Sequence, residues 1–258
     1  MPRYDYELSM RTLHQILLAS ALLIVSGCVI SIGGDSGSWG WHSNLRHEHV
    51  ETIELPADCP TVTVNTGSGD VHVQASTGPA RMVVVVREEI PGDAYVVFEG
   101  GELQVRSQSG QDVALGDVEV FLNGSSEALT LSTGSGTVIV EEVGVTADLL
   151  ASTGSGDVLV QKVGSPTRVV LATGSGDVCA VSFSCSALLV DTGSGDIDVR
   201  GVQARNGSFD TGSGDVRLER SSFEFMEADT GSGDVDARSS EVKDSSVSTG
   251  SGSVHGLN

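Results

Sequence analysis

The chain has 258 residues, which is enough for one sizeable domain. It combines 33 glycines with only 4% aromatic residues, a composition that suits a narrow core of small side chains and argues against a globular core of large rings. Its 35 acidic and 14 basic residues give a net charge of −21, and nucleic acid and anionic lipids repel such a chain. We therefore expect no nucleic-acid partner.

The first residues have the pattern of a secretory signal. Arg11 precedes an apolar run at 16–25, small residues follow the run, and the run is too short for a membrane-spanning helix. We therefore predict that residues 1–28 are a signal peptide. Two acidic residues stand near the amino terminus, where a signal is usually basic, so Met10 is an alternative start.

The stretch from Val25 to Cys28, Val-Ser-Gly-Cys, resembles the lipobox of bacterial lipoproteins. In that family the chain is cleaved before the cysteine, whose thiol is diacylated. The resemblance implies that Cys28 is lipidated and attaches the mature protein to a membrane, and Val29 after it favours the outer membrane of a Gram-negative cell envelope. An ordinary signal and a soluble secreted protein are the alternative. Residues 29–48 are rich in Gly and Ser and are predicted to be a flexible tether.

A Thr-Gly-Ser-Gly motif occurs eight times, and from the second copy on its spacing is 20, 20, 19, 19, 19 and 19 residues. A constant period of this length is typical of an architecture of stacked repeats. We number each repeat from the Thr of the motif, which is position one. These threonines are Thr66, Thr133, Thr153, Thr173, Thr192, Thr211, Thr230 and Thr249.

Apolar and mixed residues alternate on both sides of the motif. Position six is Val or Ile in every repeat and position eight is mostly Val, Leu or Ala, whereas position seven varies from Ile to Arg. The residues two and four places before the Thr are also mostly apolar. Alternation with a period of two predicts a half-buried strand, so each repeat is a strand, a corner and a second strand. The glycines at positions two and four are expected to allow a sharp turn with positive φ angles.

Two strands per repeat bury their inner faces only when successive repeats stack, with each backbone group bonded to the neighbouring coils. We predict an all-β fold, a right-handed parallel β-solenoid with coils of about 19–20 residues. Residues 126–258 form the regular coils, and the less regular residues 49–125 form an N-terminal cap with some antiparallel strands. The last coil is poor in large apolar residues, which protects an open sheet edge. End-to-end homodimerisation through that edge is the alternative.

Position five is Asp in six of the eight repeats. In stacked coils these side chains form a row, in which neighbouring carboxylates repel one another unless they are compensated. In the regular region the row consists of Asp157, Asp177, Asp196, Asp215 and Asp234. One compensation is Ca²⁺, which prefers oxygen ligands; the other, which we favour, is that each carboxylate accepts N–H groups of the corner. No other cofactor is expected.

Asp191, Asp210 and Asp229 each open an Asp-Thr-Gly-Ser string like that of aspartic proteases. Other repeats have Asn, Ser or Ala at this place, so we interpret it as a tolerant corner position and predict no protease activity. The triplets that begin at Asn123 and Asn206 fit the glycosylation pattern and are interpreted as turns.

Three cysteines remain after lipidation of Cys28, and a disulfide can form outside the cytoplasm. Cys179 and Cys185 are six residues apart in one coil, so a bond between them would clip its second corner. They are the candidate disulfide, and this pairing leaves Cys59 unpaired.

The N-terminal signal, an opening strand at residues 50–55 and serial Thr-Gly-Ser-Gly-Asp-Val repeats resemble the bacterial putative-adhesin family, a β-strand-repeat domain of unknown function. The resemblance covers residues 50–258. It implies an adhesin-like role, and no functional residue of the family can be carried over to this chain.

The sequence thus favours a non-enzymatic, lipid-anchored envelope protein that presents a solenoid face to an unidentified protein or glycan. A structural or regulatory envelope component that binds another envelope protein is the alternative. A polysaccharide-active β-helix enzyme is disfavoured, because the coils are short and the outward positions carry few basic residues.

Overall fold

The computed structural model describes residues 22–23, 45–56, 59–99 and 102–257. All regular structure in these residues is β-strand, and they contain no helix that could cross a membrane. The strands are β1 (Leu22–Leu23), β2 (His47–Glu54), β3 (Thr61–Thr66), β4 (Val71–Ala75), β5 (Arg81–Glu88), β6 (Ala94–Glu99), β7 (Glu102–Ser107), β8 (Val113–Leu122), β9 (Ser125–Thr133), β10 (Val138–Glu141), β11 (Gly144–Thr153), β12 (Val158–Gln161), β13 (Arg168–Thr173), β14 (Val178–Val181), β15 (Ser184–Thr192), β16 (Ile197–Arg200), β17 (Gln203–Thr211), β18 (Val216–Thr230), β19 (Val235–Thr249) and β20 (Val254–His255).

The coils stack into two parallel sheets. The upstream sheet contains the strands that lead into the Thr-Gly-Ser-Gly corner, which are β3, β9, β11, β13, β15, β17 and the second halves of β18 and β19. The downstream sheet contains the strands that leave the corner, which are β4, β10, β12, β14, β16 and the first halves of β18 and β19. Apart from irregularities between β9 and β11 and between β18 and β19, residues pair with the same repeat position of the next coil, as Thr192 does with Thr173 and Thr211. The predicted parallel β-solenoid is confirmed.

The core lies between the two sheets and is built from the inward positions that the alternation predicts. Position six is at most 1% exposed in every coil from Val71 to Val235. The largest buried side chains are aromatic: the rings of Phe209 and Phe223 meet edge to face, with centroids 5.5 Å apart. Gly207 makes room for them, because a Cβ at this inward position would lie 2.8 Å from the Phe223 ring.

The corner is held by a ladder of threonines. From Thr133 to Thr230, each of these threonine hydroxyls donates to the carbonyl oxygen of the position-four glycine in the preceding coil and accepts the N–H of the position-four glycine in its own coil. For Thr192 these bonds are 2.9 Å to Gly176 O and 3.1 Å from Gly195 N. One hydroxyl therefore fixes the shape of its own corner and the distance to the neighbouring one.

The corner glycines are required by the close approach of the coils. A Cβ on Gly195 would lie 1.8 Å from the carbonyl oxygen of Gly176, and a Cβ on Gly193 would lie 2.4 Å from that of Gly174. The prediction that these glycines have positive φ angles is wrong. Among the described residues, the glycines with positive φ are Gly92, Gly110, Gly124, Gly201 and Gly256.

The second corner of the coil uses a residue with positive φ at position ten. In five consecutive coils this residue is Glu142 (57°), Lys162 (50°), Ser182 (58°), Gly201 (63°) and Arg220 (50°). Only one of them is glycine, although the left-handed conformation costs other residues about 1–2 kcal/mol. Stacking of the coils therefore imposes this conformation on side chains that do not favour it.

The cap closes the N-terminal end with antiparallel strands. β5 pairs antiparallel with β2 and β8, and β8 joins the downstream sheet by pairing in parallel with β4. β6 and β7 form a separate hairpin. The buried carboxylate of Glu88 holds the start of this hairpin by accepting the N–H of Gly92 at 2.7 Å and of Ala94 at 2.8 Å.

β1 lies within the predicted signal peptide and pairs in parallel with β2. The rest of that peptide, including Met10 and Cys28, and residues 29–44 of the predicted tether lie outside the described residues. Lipidation of Cys28 therefore stays a prediction.

Candidate functional site

The position-five aspartates form a hydrogen-bonded ladder between coils. The Oδ1 atom of each accepts the backbone N–H of position five in the next coil, so the favoured role of N–H acceptor is observed. The N–H comes from the neighbouring coil and not from the same corner. The distances are 2.8 Å from Asp157 to Asp177 N, 2.8 Å from Asp177 to Asp196 N, 2.9 Å from Asp196 to Asp215 N, 2.8 Å from Asp215 to Asp234 N and 2.7 Å from Asp234 to Ser253 N.

Arginines neutralise carboxylates on the outer face of the downstream sheet. Arg217 donates to Oδ2 of Asp196 at 2.9 Å and to Oδ2 of Asp215 at 2.5 Å, bridging two members of the ladder. A hydrogen bond from Arg238 lowers the pKa of Asp236 to about 2, which keeps this carboxylate ionised. The protein thus supplies its own cations on this face.

The protein itself already uses many of the ligand atoms of the aspartate ladder. Within the described part of the chain, no three His, Cys, Asp or Glu side chains come together in a group that could hold a metal ion. The ladder places one carboxylate in each coil, its Oδ1 atoms already accept N–H groups, and Arg217 occupies Oδ2 of Asp196 and Asp215. These contacts favour the role of N–H acceptor, and Ca²⁺ binding by the row stays a prediction.

Asp191, Asp210 and Asp229 lie side by side on the outer face of the upstream sheet. All three are exposed, and the ion pairs among the described residues do not include them. An aspartic protease needs two carboxylates that share a proton across two lobes or two chains. These three are neighbours in a single strand ladder, which fits their interpretation as a corner position that accepts several residue types.

An apolar stripe lies on the same face and meets the acidic row at β15. Leu150, Val170 and Leu189 are outward-facing, half-buried neighbours on β11, β13 and β15. Leu189 and Asp191 are two residues apart on one strand, so the stripe and the row are adjacent. Further along the same face Phe225 is 41% exposed.

The predicted bond between Cys179 and Cys185 is not formed, and both thiols are free. Cys179 is at an outward position of β14, whereas Cys185 packs against the core from β15, so their side chains point away from each other. Burial raises the pKa of each thiol to about 11, which makes both poor nucleophiles. Cys59 is buried, with its Sγ 3.3 Å from the carbonyl oxygen of Thr61, and the expectation that it is left unpaired depended on the bond between Cys179 and Cys185.

A cleft of about 620 Å³ lies where the cap meets the first regular coils. One wall is the turn between β8 and β9, where Gly124 has a φ of 117°. The opposite wall is a bulge that sets Thr146 and Ala147 of β11 against Glu127 of β9. The cleft is lined by Cys59, Pro60, Asn123, Gly124, Ser125, Glu127, Thr146 and Ala147.

The sequence contained two weak signals for this cleft. The triplet from Asn123 is a turn as interpreted, whereas the triplet from Asn206 lies within β17, so that second interpretation is wrong. The bulge adds one residue to its coil, and the spacing from Thr133 to Thr153 is accordingly 20 rather than 19. Neither signal identifies a cleft until the cap and the coils are placed together.

A parallel β-solenoid with interlocked corners defines the chain as a repeat protein. Residues 168–257 match the family described as Toastrack DUF4097, a domain of unknown function, and this match agrees with the resemblance that the repeat motif indicates. No curated protein matches the sequence.

Solved structures of similar fold come from Bacteroides and Parabacteroides. A putative adhesin from Bacteroides fragilis is 12% identical, with a TM-score of 0.50 over 82% of this chain and 98% of that chain. A putative adhesin from Parabacteroides distasonis is 14% identical, with a TM-score of 0.51 over 81% and 97% of the two chains. A putative lipid binding protein from the same organism is 12% identical, with a TM-score of 0.50 over 90% and 99%. These likenesses show a shared fold.

Proposed function

We propose that this protein is a non-enzymatic component of a bacterial cell envelope that binds a partner through the lateral surface of its solenoid, as an adhesin does. The observation that carries the proposal is how the repeat uses its polar side chains. The threonine hydroxyls and the position-five carboxylates are engaged between coils. These polar side chains therefore stabilise the scaffold, and the outer faces of the two sheets remain available to bind a partner.

The upstream sheet is the face that best suits a partner. Its apolar stripe of Leu150, Val170 and Leu189 is followed along the stack by the acidic row of Asp191, Asp210 and Asp229, and the two meet on β15. The acidic row is not paired with described basic side chains, in contrast to the carboxylates of the downstream sheet. An apolar patch flanked by basic groups on the partner would be complementary to this face.

Anchoring completes the proposal. Lipidation at Cys28 would hold the protein to the outer membrane, and the tether at 29–48 would let the solenoid reach away from the lipid. Because anionic headgroups repel a chain with a net charge of −21, the solenoid itself would not lie flat on the membrane. Two structural neighbours are described as putative adhesins, which supports the partner-binding part of the proposal.

Protease treatment of intact cells tests the proposal. If the solenoid is displayed on the cell surface, added protease removes it while a soluble periplasmic protein survives. A Cys28→Ser variant cannot be lipidated at this position and is expected to be found in the soluble fraction instead of the membrane fraction. Protection of the solenoid until the outer membrane is permeabilised would instead identify a periplasmic component. Cleavage of a polyuronide by the purified protein would contradict the non-enzymatic assignment.

A further inference from the structure

We propose that the cleft between Asn123, Glu127 and Thr146 binds a neutral, hydroxyl-rich ligand, a sugar unit of a glycan. This inference rests on the proposed function and names a ligand class for one part of the surface. The cleft volume of about 620 Å³ falls within the range of small-molecule sites, roughly 300–1,000 Å³.

The walls of the cleft are fixed before any ligand arrives. The carbonyl oxygen of Pro60 accepts the N–H groups of Glu127 at 2.6 Å and Ala128 at 3.0 Å, which ties the segment before β3 to the start of β9. A site held by backbone bonds keeps its shape, so a ligand loses less free energy to ordering of the protein.

The polar groups of the lining determine the ligand class. Asn123 supplies an amide donor and acceptor, Ser125 and Thr146 supply hydroxyls, and Glu127 supplies a carboxylate. This mixture of donors and acceptors matches the hydroxyl groups of a sugar. None of the described residues that line the cleft is basic, so a phosphate or carboxylate ligand has no cation to pair with.

A matched position in another coil shows what is particular about Glu127. Glu224 stands at the same place in its repeat, six residues before the Thr. There the carboxylate lies 3.6 Å from Arg205 Nε and 3.4 Å from Lys243 Nζ. Glu127 has no ion pair with a described residue, and its carboxylate is exposed at the cleft. The carboxylate is thus ion-paired at Glu224, whereas at Glu127 it is accessible to a ligand.

The test is a titration of the purified full chain with glucose, galactose, mannose and N-acetylglucosamine, followed by ligand-observed saturation-transfer NMR. We expect at least one of them to bind with a dissociation constant in the millimolar range. Glu127→Gln should weaken that binding at least about tenfold, because hydrogen bonds to a charged group are the stronger ones. Ala147→Trp should abolish it by filling the cleft. The control Glu224→Gln should leave it unchanged.

Three outcomes would overturn the proposal. They are no binding of any of the four sugars at about 50 mM, equal weakening by Glu127→Gln and Glu224→Gln, and tighter binding of glucose 1-phosphate than of glucose. The titration uses purified protein and needs no cell. Failure of the titration would therefore reject the sugar site only. Display on the cell surface is tested independently by the protease experiment.

Discussion

Gly193 and Gly67 occupy the same position of the repeat and have different surroundings. A Cβ on Gly193 would lie 2.4 Å from the carbonyl oxygen of Gly174 in the coil before it, whereas a Cβ on Gly67, in the first corner, would have no atom within 4 Å. Neither glycine is among those with positive φ. The pair therefore separates the need for space from the need for an unusual backbone conformation.

Gly193→Ala is expected to lower the free energy of unfolding by about 2–3 kcal/mol, because the new methyl group forces two backbones apart. Gly67→Ala should change it by less than about 0.5 kcal/mol or raise it slightly, since alanine restricts the unfolded chain. Urea unfolding followed by circular dichroism measures both. Equal losses in the two variants would show that the corner needs glycine for its conformation.

The aspartate ladder makes a prediction about hydrogen bonding and charge. Asp157 accepts the N–H of Asp177 at 2.8 Å through Oδ1. Asp157→Ala removes that acceptor and should cost about 1 kcal/mol, whereas Asp157→Asn keeps a side-chain oxygen and should stay within about 0.5 kcal/mol of the parent protein. Urea unfolding measures the stability, and amide exchange at Asp177 reports the bond itself. If Asn is as harmful as Ala, the negative charge matters more than the acceptor.

At the scale of the element, the hairpin of β6 and β7 depends on one buried carboxylate. Burial raises the pKa of Glu88, but the N–H groups of Ala94 and Gly92 and the imidazole of His49 lower it, and the result lies below the ordinary value of 4.5. A carboxylate whose pKa is lower in the folded state stabilises that state above the unfolded pKa. The stabilisation is lost as the pH falls below about 4.5 and the carboxylate is protonated.

Acid should therefore loosen the start of the hairpin before it affects the regular coils. Hydrogen exchange, corrected for its intrinsic pH dependence, should show falling protection of Gly92 and Ala94 between about pH 5 and pH 3. In Glu88→Gln this protection should be weaker at neutral pH and independent of pH. The neighbouring variant Glu89→Gln should behave like the parent protein. Equal protection of Gly92 and Ala94 in Glu88→Gln and in the parent protein at neutral pH would show that the ionised carboxylate does not hold the hairpin.

The architecture of the coils was readable from the sequence because it depends on local patterns. The period of the Thr-Gly-Ser-Gly motif and the alternation around it predict parallel, in-register strands, and Thr192 does pair with its counterparts Thr173 and Thr211. The role of the corner glycines was not readable, since it depends on a carbonyl oxygen of another coil. The same holds for Gly207, whose space is filled by the Phe223 ring.

The candidate cleft and the left-handed residues needed the structure for a similar reason. Ser182 and Lys162 have no feature that predicts a positive φ; the stacking of their coil imposes it. Glu127 and Thr146 are unremarkable surface residues until a bulge and the segment near Pro60 bring them to one cleft. Cys179 and Cys185 are near in sequence, yet one faces out and the other packs against the core.

For the whole molecule, the distribution of charge distinguishes the two sheets. On the downstream sheet, arginines such as Arg217 and Arg238 are paired with the carboxylates beside them. On the upstream sheet, Asp191, Asp210 and Asp229 face one another across strands in register. Like charges directly opposite each other in a sheet are destabilising by roughly 0.2–1 kcal/mol per pair. With a net charge of −21, the folded chain should be more stable when salt screens this repulsion.

Raising NaCl from about 10 to about 150 mM should therefore raise the melting temperature by a few degrees. CaCl₂ at the same ionic strength should give the same rise, and a chelator should have no effect of its own, because the aspartate ladder is bonded to N–H groups and to Arg217. Asp210→Asn, which removes the middle charge of the row, should raise stability at low salt by about 0.5 kcal/mol and reduce the salt dependence. The control Asp198→Asn, which removes the partner of Arg200, should not reduce it. A saturable rise specific to Ca²⁺ would instead show that the aspartate row binds the cation.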